Sequence, residues 1–88
     1  MDIIVVNEKH AGMAHSSLLR GLGEEIRERR KKLSFSQEAL AHESGLHRNV
    51  IGRLERGIHN PSLLTLLSIA TELDVSVSEL VAAAERRR

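Results

Sequence analysis

From residue 17 onward, apolar residues recur at helical spacing in five runs separated by short polar breaks. Leu18, Leu22, Ile26 and Leu33 fall on one face of a first helix, with Glu24, Glu25, Arg27, Glu28, Lys31 and Lys32 on the opposite face. Ser36 predicts the N-cap of a short second helix carrying Ala39, Leu40 and Ala41, with Glu38 in the first turn where the helix dipole favours an acid. Gly45 suits the left-handed position just past a helix end. A third helix turns Val50, Ile51 and Leu54 inward, leaves Arg48, Asn49, Arg53 and Arg56 outside, and stops at Gly57. Pro61 marks the first turn of a fourth helix, capped by Asn60 or Ser62 and lined by Leu63, Leu66, Leu67, Ile69, Ala70 and Leu73. Asp74–Val75–Ser76 interrupts it, and Ser76 or Ser78 caps a fifth helix running to about Ala84, acidic early and basic late.

Residues 2–6 are apolar and β-branched and predict a short strand or an apolar arm, and residues 7–16 show no period and read as a linker. The expected organisation is an arm and linker over 1–16, one domain over 17–85, and a basic tail over 86–88. The second and third helices, joined by a short turn containing Gly45, form a helix-turn-helix pattern over about 37–56. Leu22, Ile26, Leu40, Val50, Ile51, Leu54, Leu66, Ile69 and Leu73 are expected to satisfy one another in a core. Leu64, Leu67, Val77, Val81 and Ala84 are left without an assigned partner, and such a patch predicts the interface of a homodimer. The apolar residues 3–6 compete for that role, either by pairing with their own copy or by covering the patch.

Length and composition narrow the function. The 88 residues suit one small domain, and the absence of cysteine excludes disulfides, thiol chemistry and cysteine-ligated metals. A single aromatic residue argues against gripping bases or sugars by stacking. No apolar run approaches the ~18 residues of a membrane span, and Asp2 with no basic start does not fit a secretory signal, so the expected location is cytoplasmic. Net charge is only +1, but residues 20–32 hold six Lys/Arg against three Glu, while residues 57–85 hold four acids and no Lys or Arg. Basic and acidic faces on one body are one reading of this distribution, and a mixed solvated surface is the other. The histidines (His10, His15, His42, His47, His59) show no metal-binding spacing, and no Ser–His–Asp arrangement or phosphate-cradling glycine loop occurs. No catalytic residue, metal or cofactor is expected, nor a small-molecule ligand.

The run SQEALAHESGLHRNVIGRLERG followed by NPSLLTLLSIATELDVSVSEL resembles the lambda-repressor-like (XRE, Cro-type) helix-turn-helix family, and the likeness covers about Leu18–Leu80. It rests on Gln37, Ala41, Gly45, Ile51, Glu55 and Gly57, then Pro61–Ser62–Leu63 and Ile69–Ala70. Within the family, HRNVIGRLERG is similar to the recognition helices of restriction–modification controller proteins. The resemblance implies a compact all-α, five-helix DNA-binding domain, here with a short N-terminal extended arm. It also implies a sequence-specific transcriptional regulator that binds an inverted repeat in double-stranded DNA as a dimer, with the third helix in the major groove.

Carried over by position, Gln37 would fix a phosphate at the start of the second helix. Arg48 and Asn49 would read bases first, with Gly52 and Arg53 one turn later, His47 and Arg56 at the two ends, and Asn60 on phosphate. The chemistry agrees: Arg pairs two ways with guanine and Asn with adenine, and Gly52 would let the backbone approach the groove wall. His47 departs from the family's usual Ser or Thr cap and is a poorer cap. In the family, positions matching Arg30 and Glu55 form a salt bridge between the first and third helices, which would set the angle of the recognition helix. The rival reading is an antitoxin or protein-interaction module on the same fold. Exposed Arg48, Asn49 and Arg53 favour DNA over that partner.

Overall fold

The computed structural model describes residues 8–88, with side chains from Ser16 onward. The strand or arm expected over residues 2–6 lies outside the described residues. Five helices follow in chain order: α1 (Glu8–Lys32), α2 (Gln37–Ser44), α3 (Arg48–Glu55), α4 (Leu63–Glu72) and α5 (Val77–Arg86). α1 packs chiefly on α5 and α3, and α2 bridges α3 and α4. Helix α1 starts well before the expected position, so most of the supposed linker is helical. Its Glu, Lys, Ala and Met residues are strong helix formers, and that propensity carries a segment with no apolar stripe.

Four helices end by one device. Ser34, Gly45, Gly57 and Asp74 adopt left-handed backbone, with φ of 62°, 71°, 76° and 58°. The next residue of each, Phe35, Leu46, Ile58 or Val75, donates its N–H to a carbonyl five residues back, at 2.8–3.1 Å. This satisfies carbonyls that the helix end would otherwise leave open. The two glycines were legible as terminators; Ser34 and Asp74 occupy the same conformation without being glycine. At the other ends, Ser36, Ser62 and Ser76 accept from the backbone N–H three residues on, which resolves the capping alternatives in favour of Ser62 and Ser76. Ser76 and Glu79 form a reciprocal capping box.

The core consists of Leu22, Ile26, Leu40, Ile51, Leu54, Leu66, Ile69, Leu73 and Leu80, with Ala41, Ala70 and Ala84 filling between them. Val50 is only half-buried. Leu33 lies past the end of α1 and is 47% exposed, so it does not extend the apolar stripe. Leu63 is 71% exposed and is not part of the inner face of α4. Ala84, expected at a dimer interface, is fully buried within its own chain. The reason is Gly21: a Cβ there would come within 2.5 Å of the Ala84 carbonyl oxygen, so glycine lets α5 lie directly on α1. Val77 and Val81 are half-buried against the same core.

The end of the chain is tied down. Arg87, expected in the basic tail, is the C-cap of α5 and folds back onto three glutamates of α1. Its Nε donates to Glu25 Oε1 at 2.8 Å, and its guanidinium lies 3.5 Å from Glu24 and 3.1 Å from Glu28. Arg29 donates to the other oxygen of Glu25 at 2.6 Å. Glu25, assigned by periodicity to the solvent face, is therefore buried at 8% exposure. Burial alone would push its carboxyl up, but the hydrogen bonds from Arg87 and Arg29 outweigh this and hold it below its ordinary value of 4.5.

A carboxyl whose pKa is lower in the folded chain stabilises the fold above its unfolded pKa, and this contribution fades as pH falls through the folded value. Glu25→Gln is therefore expected to lower the denaturant midpoint at neutral pH and to flatten its decline below about pH 4.5, relative to the unmodified chain. Urea unfolding across an acid series checks this, and parallel pH curves for the two proteins would rule it out.

Candidate nucleic-acid interface

The sequence places Arg48, Asn49, Gly52, Arg53 and Arg56 at spacings that bring them to one side of α3, since residues three and four apart are neighbours on a helix. Together with Gln37 of α2 they line a groove of about 340 Å³. Arg48, Asn49, Arg53 and Arg56 are exposed. Gly52 is buried and forms the floor: a Cβ there would lie 3.4 Å from Arg56 Nη1 and 3.9 Å from Gln37 Oε1.

Gln37 is oriented from behind. Its Nε2 donates to Glu55 Oε1 at 3.0 Å. The same carboxylate receives two hydrogen bonds from Arg30, Nε to Oε2 at 2.6 Å and Nη2 to Oε1 at 3.0 Å. Arg30 Nη1 donates to the carbonyl of Phe35 at 2.8 Å. One guanidinium therefore joins the end of α1, the loop before α2 and the end of α3. The side chains of Arg30 and Glu55 are 10% and 3% exposed. The bridge expected of this pair is present, and Gln37 and the Phe35 carbonyl are additional members that no spacing in the sequence indicates.

His47 is the N-cap of α3: its backbone is extended and its Nδ1 accepts the N–H of Asn49 at 3.0 Å. Histidine thus performs here the capping for which it is ordinarily less suited, because the ring nitrogen reaches the second amide of the helix. His47 is exposed beside the groove but does not line it. Asn60 does not line the groove: it borders a smaller apolar cleft with Leu18, Leu19, Pro61 and Val81. Arg48 has an acidic neighbour in Glu38, the first-turn acid of α2. Its Nη1 is 3.6 Å from Glu38 Oε2 across the gap between the starts of α2 and α3.

The groove presents guanidinium and amide donors on a face with no acid among its lining residues. Such groups suit phosphate oxygens and the acceptor edges of bases. Among the described residues no cluster of His, Asp or Glu could hold a metal ion, and no helix is long and apolar enough to cross a membrane.

Residues 26–80 match the HTH_3 helix-turn-helix family model. The chain is 45% identical over 60 residues to the control protein C.SmaI of Serratia marcescens, an alignment covering 68% of this chain and 71% of that protein. The crystal structure of the restriction-modification controller protein C.AhdI from Aeromonas hydrophila superposes with a TM-score of 0.68 and 45% identity, over 70% of this chain and 94% of that one. The biofilm master regulator SinR, solved in complex with DNA, superposes with a TM-score of 0.66 and 33% identity, over 68% and 97% of the two chains. The chain belongs to the HTH_3 helix-turn-helix family.

Removing the anion at the centre of the network leaves a poorly solvated cation. Glu55→Ala is expected to destabilise the fold by roughly 3 kcal/mol or more, and the double change Arg30→Met with Glu55→Leu to recover much of that loss. Denaturant unfolding of the three proteins measures this. A loss under about 1 kcal/mol for Glu55→Ala would be that of an exposed pair.

Proposed function

We propose that this helix-turn-helix protein is a sequence-specific transcriptional regulator that binds double-stranded DNA as a homodimer, with α3 in the major groove. The observation that carries the reading is the groove built from Gln37, Arg48, Asn49, Gly52, Arg53 and Arg56, which gathers donors for phosphate and base edges on one helix face. Arg48 and Arg53 supply two-pronged donors for guanine, Asn49 suits adenine, and Gln37, one N–H of whose Nε2 goes to Glu55, keeps the other for a phosphate. Arg56 and His47 flank this set, while Asn60, in its separate cleft, stands outside it. C.SmaI and C.AhdI bear the names of control and controller proteins, and SinR was solved with DNA, which supports the same role here. A cytoplasmic site of action follows from a DNA partner.

One recognition helix reads too few base pairs to discriminate a genome, and a symmetric pair doubles them on an inverted repeat about 34 Å apart. The dimer face assigned here is the outer side of α4. Leu63, Leu64 and Leu67 are 71%, 74% and 49% exposed, on one side of a helix whose other side is core. Val77 and Val81 remain at its margin, and Ala84 is excluded by burial. An exposed aliphatic face of this kind also fits an antitoxin's protein partner, and the oligomeric state separates the two readings.

Selection from random duplexes followed by gel-shift titration tests the DNA reading. Arg48→Ala and Arg53→Ala are each expected to cost roughly 1–3 kcal/mol on the selected site and to relax preference at one position. Gln37→Ala is expected to weaken all sequences alike. If both arginine variants bind the selected site as the unmodified protein does, the assigned face is wrong.

Sedimentation equilibrium tests the dimer. Leu67→Glu is expected to be monomeric and to bind DNA poorly, and a chain starting at Met13 to remain dimeric. The reverse result would give the interface to the residues before Met13.

A further inference from the structure

Glu38 is an exposed acid standing beside the face that this reading assigns to DNA. It occupies the first turn of α2, immediately after Gln37, and its Oε2 lies 3.6 Å from Nη1 of Arg48 in the first turn of α3. Both side chains are well solvated, 62% exposed for Arg48 and 68% for Glu38. An ion pair in that setting is weak and exchanges readily.

Two electrostatic facts make the pair more than a solvated contact. A cation in the first turn of α3 sits at the wrong end of that helix dipole, so Arg48 gains from a nearby anion. The start of α2 is also where phosphates would approach Gln37, and an acid in that place opposes a bare backbone contact.

We propose that Glu38 is a specificity-determining residue for the DNA-binding reading above, on which this inference rests. In the free protein it holds Arg48. Backbone contacts alone must break that pair and bring phosphate towards the carboxylate, with little in return. A correctly placed guanine offers Arg48 two acceptors, O6 and N7, which replace the lost pair. Glu38 therefore weakens binding to arbitrary duplexes more than binding to the true site. Discrimination is a difference of affinities, and a repulsive element raises it as effectively as a new contact.

The test is a cycle of four proteins: the unmodified chain, Glu38→Gln, Arg48→Ala and the double variant. Each is titrated against the selected duplex and a scrambled one at fixed salt. Glu38→Gln is expected to raise affinity for the scrambled duplex about two- to fivefold and to raise the selected site less, so that the ratio between them falls. With Arg48 replaced by Ala, the same change should raise both affinities equally and leave the ratio unmoved. Thermal unfolding of each variant separates binding effects from loss of the fold. A ratio unaffected by Glu38→Gln, or equally affected with and without Arg48, overturns the inference. These outcomes differ from failure of the underlying reading, in which the unmodified protein would select no duplex at all.

Discussion

The guanidinium of Arg30 is the point from which the groove between α2 and α3 takes its geometry. It makes two hydrogen bonds to Glu55 and a third to the Phe35 carbonyl, so α1, the loop before α2 and the end of α3 share one fixed junction. A buried ion pair of this kind contributes little net stability, because both groups lose water in forming it. What it supplies is direction. A third group, Gln37, completes the carboxylate's set of donors and is thereby aimed into the groove. The pair thus acts through the orientation of its neighbours, while the aliphatic core provides most of the driving force for folding.

Charge in this molecule is organised in local pairs rather than in broad faces. Three of the six cations in residues 20–32 have an acidic partner: Arg29 on Glu25, Arg30 on Glu55 and Lys32 near Glu28. The acids of the same helix hold Arg87 from the far end of the chain. The surplus of positive charge in residues 20–32 therefore does not make an electropositive surface of matching size. The donors that line the groove come from α3 and, in Gln37, from α2. A net charge of +1 is consistent with that economy.

Local signals in the sequence located α2 to α5 closely, because each has a polar cap, an apolar stripe and a terminator within a few residues. The start of α1 escaped because its first residues are helical by propensity and carry no stripe. Ser34 escaped as a terminator, and Asp74, placed in the break after α4, was not read as left-handed, because that conformation is ordinarily read from glycine. Leu33 misled by fitting the period one residue beyond the point where the backbone had already turned. The Arg87 clamp joins residues 62 positions apart, and no spacing rule reports a contact of that range. Ala84 was unreadable for a related reason: its burial depends on what faces it, and Gly21 across the interface decides that. For the site, helical spacing brought the α3 residues together. The contributions of Glu38 and the Phe35 carbonyl appear only when the helices are set in space.

The separation between Asn49 and Arg53 on the surface and the fixed junction behind them has a consequence for how the face can vary. Both side chains are exposed and neither belongs to the core, whereas Arg30 and Glu55 are deep and mutually dependent. Surface changes away from caps and cores usually alter stability by less than about 0.5 kcal/mol. Positions 49 and 53 can therefore vary with little effect on folding, and each exchange alters the pattern of donors offered by an unchanged helix. The chemistry this face presents is thus separable from the fold that carries it, and can be rewritten without disturbing the junction of Arg30 and Glu55.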